Sequence, residues 1–426
     1  MEEMINSLKR NLKMKKALLL GIIASACVAQ AEFMDRPVGY RIGERITIKP
    51  YVSLSSIFDS NVDGNRYGEE DVVWVVNPGL GFEYLDEMWS LNANAFYQYN
   101  AYAKDTSKSG NAYDYHGYGQ DVTFRWADSE RNEKGWGLML FESYRRVDQS
   151  DDMTLSDGTG YSRDRDELKF AAAVQRRFNE YWHSELSTGY YWLDYNNTTD
   201  KYSSWLYGWS RWTVGGEVGF APSKWTDFLL AASYQGYDQD NTDNIKTTHL
   251  SGESEGLTIQ TGIGSWATER ISYRVLAGWS RFEYSEDVST SDGFTYTIAG
   301  CWKIGETWKT MLSANSYYQP SEREYATAVR VDAISWGIAK SLVRGKVTAT
   351  FDVSYRSEKR EYSYENASDY DLDWFTSRLG VNYIMNRYVT LFARAEYQQC
   401  WGDGSVKADY YDYDRFRGTV GLRFTY

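Results

Sequence analysis

The chain has 426 residues, a net charge of −13 and 17% aromatic residues, with Tyr 37 and Trp 17 against Pro 5. An acidic chain of this kind repels phosphate backbones and is not a nucleic-acid binder. Its mean hydropathy is −0.59. No apolar run approaches the ~20 residues of a membrane helix, so a helical membrane protein is excluded.

The first element is a targeting segment. Lys9, Arg10, Lys13, Lys15 and Lys16 precede the apolar run Ala17 to Val28, and Ala29-Gln30-Ala31 is an A-x-A cleavage site. Residues 1–31 read as a secretory signal peptide, because the run is too short for ~30 Å of hydrocarbon. Acylation at Cys27 is the weaker alternative, since Ala24 stands where such a site has Leu. Residues 32–44 read as a short lead.

From Arg45 onward apolar and polar residues alternate in segment after segment. Leu91, Ala93, Ala95, Tyr97 and Tyr99 share one face of a strand, while Ser90, Asn92, Asn94, Gln98 and Asn100 share the other. Val347, Ala349, Phe351, Val353 and Tyr355 repeat the pattern, as do Phe375, Leu379, Val381, Tyr383 and Met385. Period-two alternation is the mark of a strand with one greasy face. In chain order the predicted strands are 45–59, 70–86, 88–103, 113–129, 135–148, 164–179, 181–195, 204–221, 225–238, 250–268, 270–285, 292–305, 307–319, 323–341, 345–358, 369–386, 388–402 and 409–426. That is about 18 strands, with 16 as the other option.

Short connections at Asp86-Glu87, Ser223-Lys224, Glu269-Arg270 and Asn386-Arg387 alternate with longer polar loops such as Ser60–Glu70, Asp148–Arg163 and Asp238–His249. A sandwich with Greek-key connections would not sort its loops this way, whereas a bacterial outer-membrane barrel does. An even count places both termini on the short-turn, periplasmic side. Residues 45–426 are thus expected to form one all-β, transmembrane, antiparallel up-and-down barrel in the outer membrane. Most short turns lead into an aromatic: Trp89, Trp136, Trp182, Trp225, Trp308 and Tyr388. These are expected to form a periplasmic girdle, with Tyr99, Tyr190, Tyr234, Trp279, Tyr355 and Tyr397 at the opposite interface.

The last strand carries Val420, Leu422, Phe424 and Tyr426 on one face, between Thr419, Gly421, Arg423 and Thr425. Thr419, Gly421, Phe424 and Tyr426 resemble the C-terminal assembly signal of outer-membrane barrels, which implies the barrel-assembly machinery as a partner.

No catalytic or metal motif stands out. His116, His183 and His249 fall on different strands without ligand spacing. The acidic loop Asp238, Asp240, Asn241 and Asp243 lacks the Gly and Glu of a calcium loop. Cys301 and Cys400 are expected to remain thiols. Inward positions include Lys303, Asp352, Arg356, Arg378, Arg394, Glu396, Arg415 and Arg417. Arg394, Arg415 and Arg417 lie on the last two strands and form either a guanidinium cluster that selects anions or a wall of ion pairs with Glu396 and Asp352.

Pro50-Tyr51-Val52-Ser53-Leu54, Phe58-Asp59-Ser60-Asn61-Val62, Asp71-Val72-Val73 and Asn77-Pro78-Gly79-Leu80 resemble the opening hairpin of a family of outer-membrane β-barrel porins, type 2. Phe58 stands where many members have Tyr. The resemblance implies a porin barrel linked to exopolysaccharide export and transfers no site residues. The expected function is passage of hydrophilic solutes or saccharides through a charged lumen, with outer-membrane lipid around the wall and no cofactor. The alternatives are a plugged barrel acting through its loops, or an outer-membrane enzyme.

Overall fold

The computed structural model describes residues 39–61, 70–103, 115–127, 135–148, 164–195, 209–223, 225–239, 253–265, 270–284, 290–320, 326–343, 345–362, 370–403 and 412–426. The expected signal peptide, His249, Asp240, Asn241 and Asp243 lie outside them. The strands are β1 (Tyr40–Ile42), β2 (Ile46–Asp59), β3 (Asp71–Leu85), β4 (Trp89–Tyr102), β5 (Tyr115–Ala127), β6 (Gly135–Asp148), β7 (Asp164–Arg177), β8 (Trp182–Tyr195), β9 (Trp209–Ser223), β10 (Thr226–Gln239), β11 (Glu253–Gly264), β12 (Ile271–Tyr284), β13 (Thr290–Ile304), β14 (Trp308–Pro320), β15 (Ala326–Leu342), β16 (Val347–Tyr362), β17 (Tyr370–Ile384), β18 (Val389–Asp403) and β19 (Tyr413–Thr425).

From β2 to β19 each strand pairs antiparallel with the next, and β19 returns to β2, from Arg417 opposite Asp59 to Thr425 opposite Tyr51. The result is a closed barrel of 18 strands. β1 falls within residues 32–44, which the sequence alone marks only as a short lead. It pairs with β2 from Tyr40 opposite Ile48 to Ile42 opposite Ile46. The lead therefore begins a strand where β19 stops, since the Tyr426 N–H donates to the Pro50 carbonyl (3.0 Å).

Two of the short turns are organised by an asparagine side chain. The Asn179 side-chain oxygen accepts from the N–H groups of Tyr181 (2.8 Å) and Trp182 (2.9 Å). Asn386 does the same for Tyr388 (2.8 Å) and Val389 (3.0 Å). Such Asn-centred turns reverse the chain in few residues, so the next side chain begins a strand at a fixed depth. Loop lengths sort less cleanly than the sequence suggests. The short-end connection 128–134 is longer than the opposite-end connections 285–289 and 321–325. Pro78 falls at a gap in the β3–β4 register, where Asn77 Nδ2 donates to Gln98 Oε1 (3.3 Å). A proline has no N–H for the ladder, and the amide pair bridges the interruption.

Directly opposed residues share a face, so the register carries orientation around the ring. Outward positions include Leu230, Ile259, Trp279, Trp336, Leu379 and Val420, all exposed. Among the described residues no helix is long and apolar enough to cross a membrane.

One seam departs from the ladder. β13 and β14 pair only from Thr297 opposite Asn315 to Ile304 opposite Trp308. Beyond that point side chains hold the seam. Tyr318 Oη donates to the Asp292 carbonyl (2.9 Å), Arg330 Nη2 to the Phe294 carbonyl (3.2 Å), and Thr295 Oγ1 to the Ser316 carbonyl. Gln235 of β10 donates to the Tyr318 carbonyl (3.3 Å). Tyr318 packs against Tyr237 and Phe282, and Val331, Asp332 and Ala333 are buried in succession. The loop ends of β14 and β15 therefore lean inside the ring.

Candidate functional site: the luminal wall

The inner wall is built by the polar phase of each strand. Its most ordered section runs across β16 to β19 and on to β2. Asp352 lies opposite Arg378, Arg378 opposite Glu396, Glu396 opposite Arg417, and Arg417 opposite Asp59. Charges alternate in sign along this rung of five strands. Arg378 is ion-paired with Glu396, and Arg417 bridges Glu396 (3.8 Å) and Asp59 (2.9 Å). Arg415 grips Asp59 with two prongs, Nε to Oδ1 at 3.0 Å and Nη2 to Oδ2 at 2.6 Å. Bidentate guanidinium–carboxylate pairs are short and geometrically specific. With its side chain 1% exposed, Arg415 is a structural clamp between the first and last barrel strands.

The guanidinium cluster proposed from sequence is therefore divided. Arg415 and Arg417 are both ion-paired with Asp59, a partner on the first barrel strand that the period-two pattern does not reveal. Arg394 is not. It is exposed, faces the lumen opposite Thr419, and lies 5.4 Å from the centre of the Phe392 ring. Its companion is Arg423, also exposed, whose guanidinium sits 3.8 Å from the Tyr51 ring centre. Phe392 lies opposite Gly421, where an added Cβ would fall 2.4 Å from Phe392 Cζ. The glycine of the expected assembly signal thus makes room for a luminal ring.

Arg356 is ion-paired with Glu358 and lies 5.5 Å from the Trp374 ring. Lys303 is opposite Lys309 on the inward phase of β13 and β14. By register the eight luminal candidates share the face of the wall that carries the Arg415–Asp59 pair.

The girdle candidates lie at the short-turn end. Trp136, Trp182, Trp225 and Tyr388 are exposed, and Trp89 and Trp308 are partly covered. Trp89 stacks on Tyr84 at 4.1 Å. Arg176 lies over Trp136 (4.5 Å), Lys340 over Trp308 (4.0 Å) and Arg387 over Tyr388 (4.5 Å). Phe424 and Tyr426 of the terminal motif are exposed outward, and Tyr426 stacks with Tyr388 at 6.1 Å.

Two luminal groups had no signal in the sequence. His183, isolated in the sequence, is buried, with Nε2 2.6 Å from Asp227 Oδ2. The contact crosses over Gly219, where a Cβ would lie 2.1 Å from His183 Nε2. Nearby, Arg274 reaches Glu217 across two intervening strands. Toward the loop end, Arg211 lies between the rings of Tyr191 and Tyr237, each at 5.9 Å. Trp209 packs on Tyr191 at 4.8 Å. These contacts join residues far apart in sequence, which periodicity cannot pair. Cys301 and Cys400 sit on β13 and β18 as thiols, without a bridge. Among the described residues no His, Cys, Asp and Glu group is arranged to hold a metal.

No family model and no curated protein matches the chain. Solved structures similar to it include the siderophore receptor PirA from Pseudomonas aeruginosa, at 8% identity and TM-score 0.44, over 91% of this chain and 81% of that one. The outer membrane protein opdK from Pseudomonas aeruginosa matches at 11% identity and TM-score 0.43, over 89% of this chain and 99% of that one. The FrpB iron transporter from Neisseria meningitidis matches at 9% identity and TM-score 0.44, over 90% and 82%.

Proposed function

We propose that this chain is a porin-like barrel of the bacterial outer membrane that passes hydrophilic solutes, saccharides among them. The observation that carries it is the inversion of the wall. Large apolar side chains such as Leu230, Ile259 and Leu379 are exposed on the outside, while Asp352, Arg378 and Arg394 face in. That arrangement is stable only if lipid surrounds the ring and water enters it. The aromatic rings at the short-turn end, several capped by a cation, suit a headgroup interface. Eighteen strands enclose enough width for water. The resemblance of the first hairpin to type 2 barrel porins supports the same reading, and with it a role beside exopolysaccharide export.

A plugged barrel has one observation in its favour: the packing of Tyr237, Phe282 and Tyr318 inside the loop end. Planar bilayers separate the two. Stable, ohmic single-channel steps from the purified protein support the conduit. Silence from protein that runs as a heat-modifiable barrel on gels supports the plug.

A further inference from the structure

Several ion pairs of the lumen share an asymmetry. In four of them the acid is recessed and the base stands forward. Side-chain exposure is 46% for Arg145 and 28% for Asp121. It is 48% for Lys169 and 9% for Glu167. For Arg356 and Glu358 it is 44% and 4%, and for Arg378 and Glu396 it is 60% and 20%. Lys49 with Glu83 (23% and 29%), Arg415 with Asp59 (1% and 4%) and Arg417 with Glu396 (18% and 20%) do not share it. At these four pairs a solute in the lumen meets a guanidinium or ammonium group first, although the whole chain is acidic.

Arg394 and Arg423 go further. Among the described residues neither has a carboxylate partner, because Glu396 serves Arg378 and Arg417 and Asp59 serves Arg415 and Arg417. They lie on the same phase of neighbouring strands, β18 and β19, four residues apart in register, since Arg394 is opposite Thr419 and Arg423 opposite Thr390. Each guanidinium is backed by a ring, Phe392 for one and Tyr51 for the other. A ring against the guanidinium leaves its N–H edge to point elsewhere. Both residues are exposed on the inward phase of their strands, and a planar fork of donors matches a carboxylate.

We propose that Arg394 and Arg423 form an anion-binding step in the lumen, selective for carboxylate-bearing hydrophilic solutes. The proposal rests on the conduit reading. Two unneutralised charges on a water-filled wall raise the local anion concentration and lower that of cations. The backing rings keep the guanidiniums extended, so binding does not have to order two flexible side chains.

The test is reversal potential in planar bilayers under a potassium chloride gradient, followed by addition of potassium galacturonate. Wild-type channels should favour chloride over potassium, and galacturonate should interrupt the current. R394Q/R423Q should lower the chloride-to-potassium permeability ratio at least about threefold. It should also weaken galacturonate block roughly tenfold. R394K/R423K should keep the chloride preference while losing most of the block, because Lys offers a point charge rather than a fork. If chloride preference changes without any galacturonate block in the wild type, the site serves inorganic anions and the carboxylate assignment is wrong. Conducting wild-type channels with no anion preference, or a double Gln variant identical to wild type, overturn the proposal and leave the conduit standing. Absence of conductance from a heat-modifiable wild-type barrel overturns the conduit itself and the proposal with it. Should the double variant fail to assemble, R394Q and R423Q are read singly by the same ratio.

Discussion

Asp59 joins the two ends of the barrel. It receives both prongs of Arg415 and one from Arg417, and its own oxygen also accepts the Asn61 N–H at 3.0 Å. Removing the carboxylate would leave Arg415 buried and uncompensated, and breaking a buried pair from one side costs about 3–5 kcal/mol. Asp59→Ala should therefore unfold at markedly lower urea concentration in detergent and lose its heat-modifiable band at lower temperature. An unchanged midpoint would show that β2 and β19 are held by their ladder alone. Inward placement of Arg415 and Arg417 is legible in the period-two pattern. Their partner is not, because Asp59 is 356 residues from Arg415 in sequence and meets it only when the ring closes. The same applies to His183, whose reach to Asp227 depends on the missing side chain of Gly219 in the strand between them.

Orientation is a property of whole strands. A one-residue slip would exchange every side chain between lipid and lumen. Leu379 is exposed outward, opposite Ala395, while Thr376 faces in, opposite Gln398. Leu379→Arg should destabilise the barrel by about 2–4 kcal/mol or block its assembly, since it places a charge at mid-bilayer depth. Thr376→Arg should assemble normally. Equal recovery of both proteins in the membrane fraction would reverse the phase. The strands, their phase and the aromatics after the turns were readable because they depend on local alternation and on Asn-centred reversals. The seam between β13 and β14 was not. Ser316-Tyr317-Tyr318-Gln319 alternate no differently from their neighbours, and only the three-dimensional path shows that backbone pairing ends at Thr297 and Asn315. Side-chain bonds to Asp292, Phe294 and Ser316 replace it. Local opening draws on the least paired parts of a structure. Amides of residues 292–296 that face β14 should exchange hydrogen faster than those of Ala277 to Phe282 on β12, which are laddered on both sides. Uniform protection would mean that the side-chain seam is as firm as a ladder.

At the scale of the molecule, charge is segregated. The chain carries −13 overall, yet among the described residues the base stands forward of the acid in four luminal ion pairs. Composition could not reveal this, because it counts recessed and exposed charges alike. Selectivity from fixed charges falls as salt screens them, with a Debye length of about 10 Å at 0.1 M and about 3 Å at 1 M. The chloride preference should accordingly be larger in 0.1 M than in 1 M potassium chloride. A preference independent of salt would point to a steric filter instead.

β2 is longer than the strand that closes against it. Below Pro50 its outer edge would present bare amide and carbonyl groups near the headgroups, a template on which any extended peptide could settle. Tyr40 to Ile42 occupy that place. They thus act as a plaster over the join, covering the stretch of edge that the last strand leaves open.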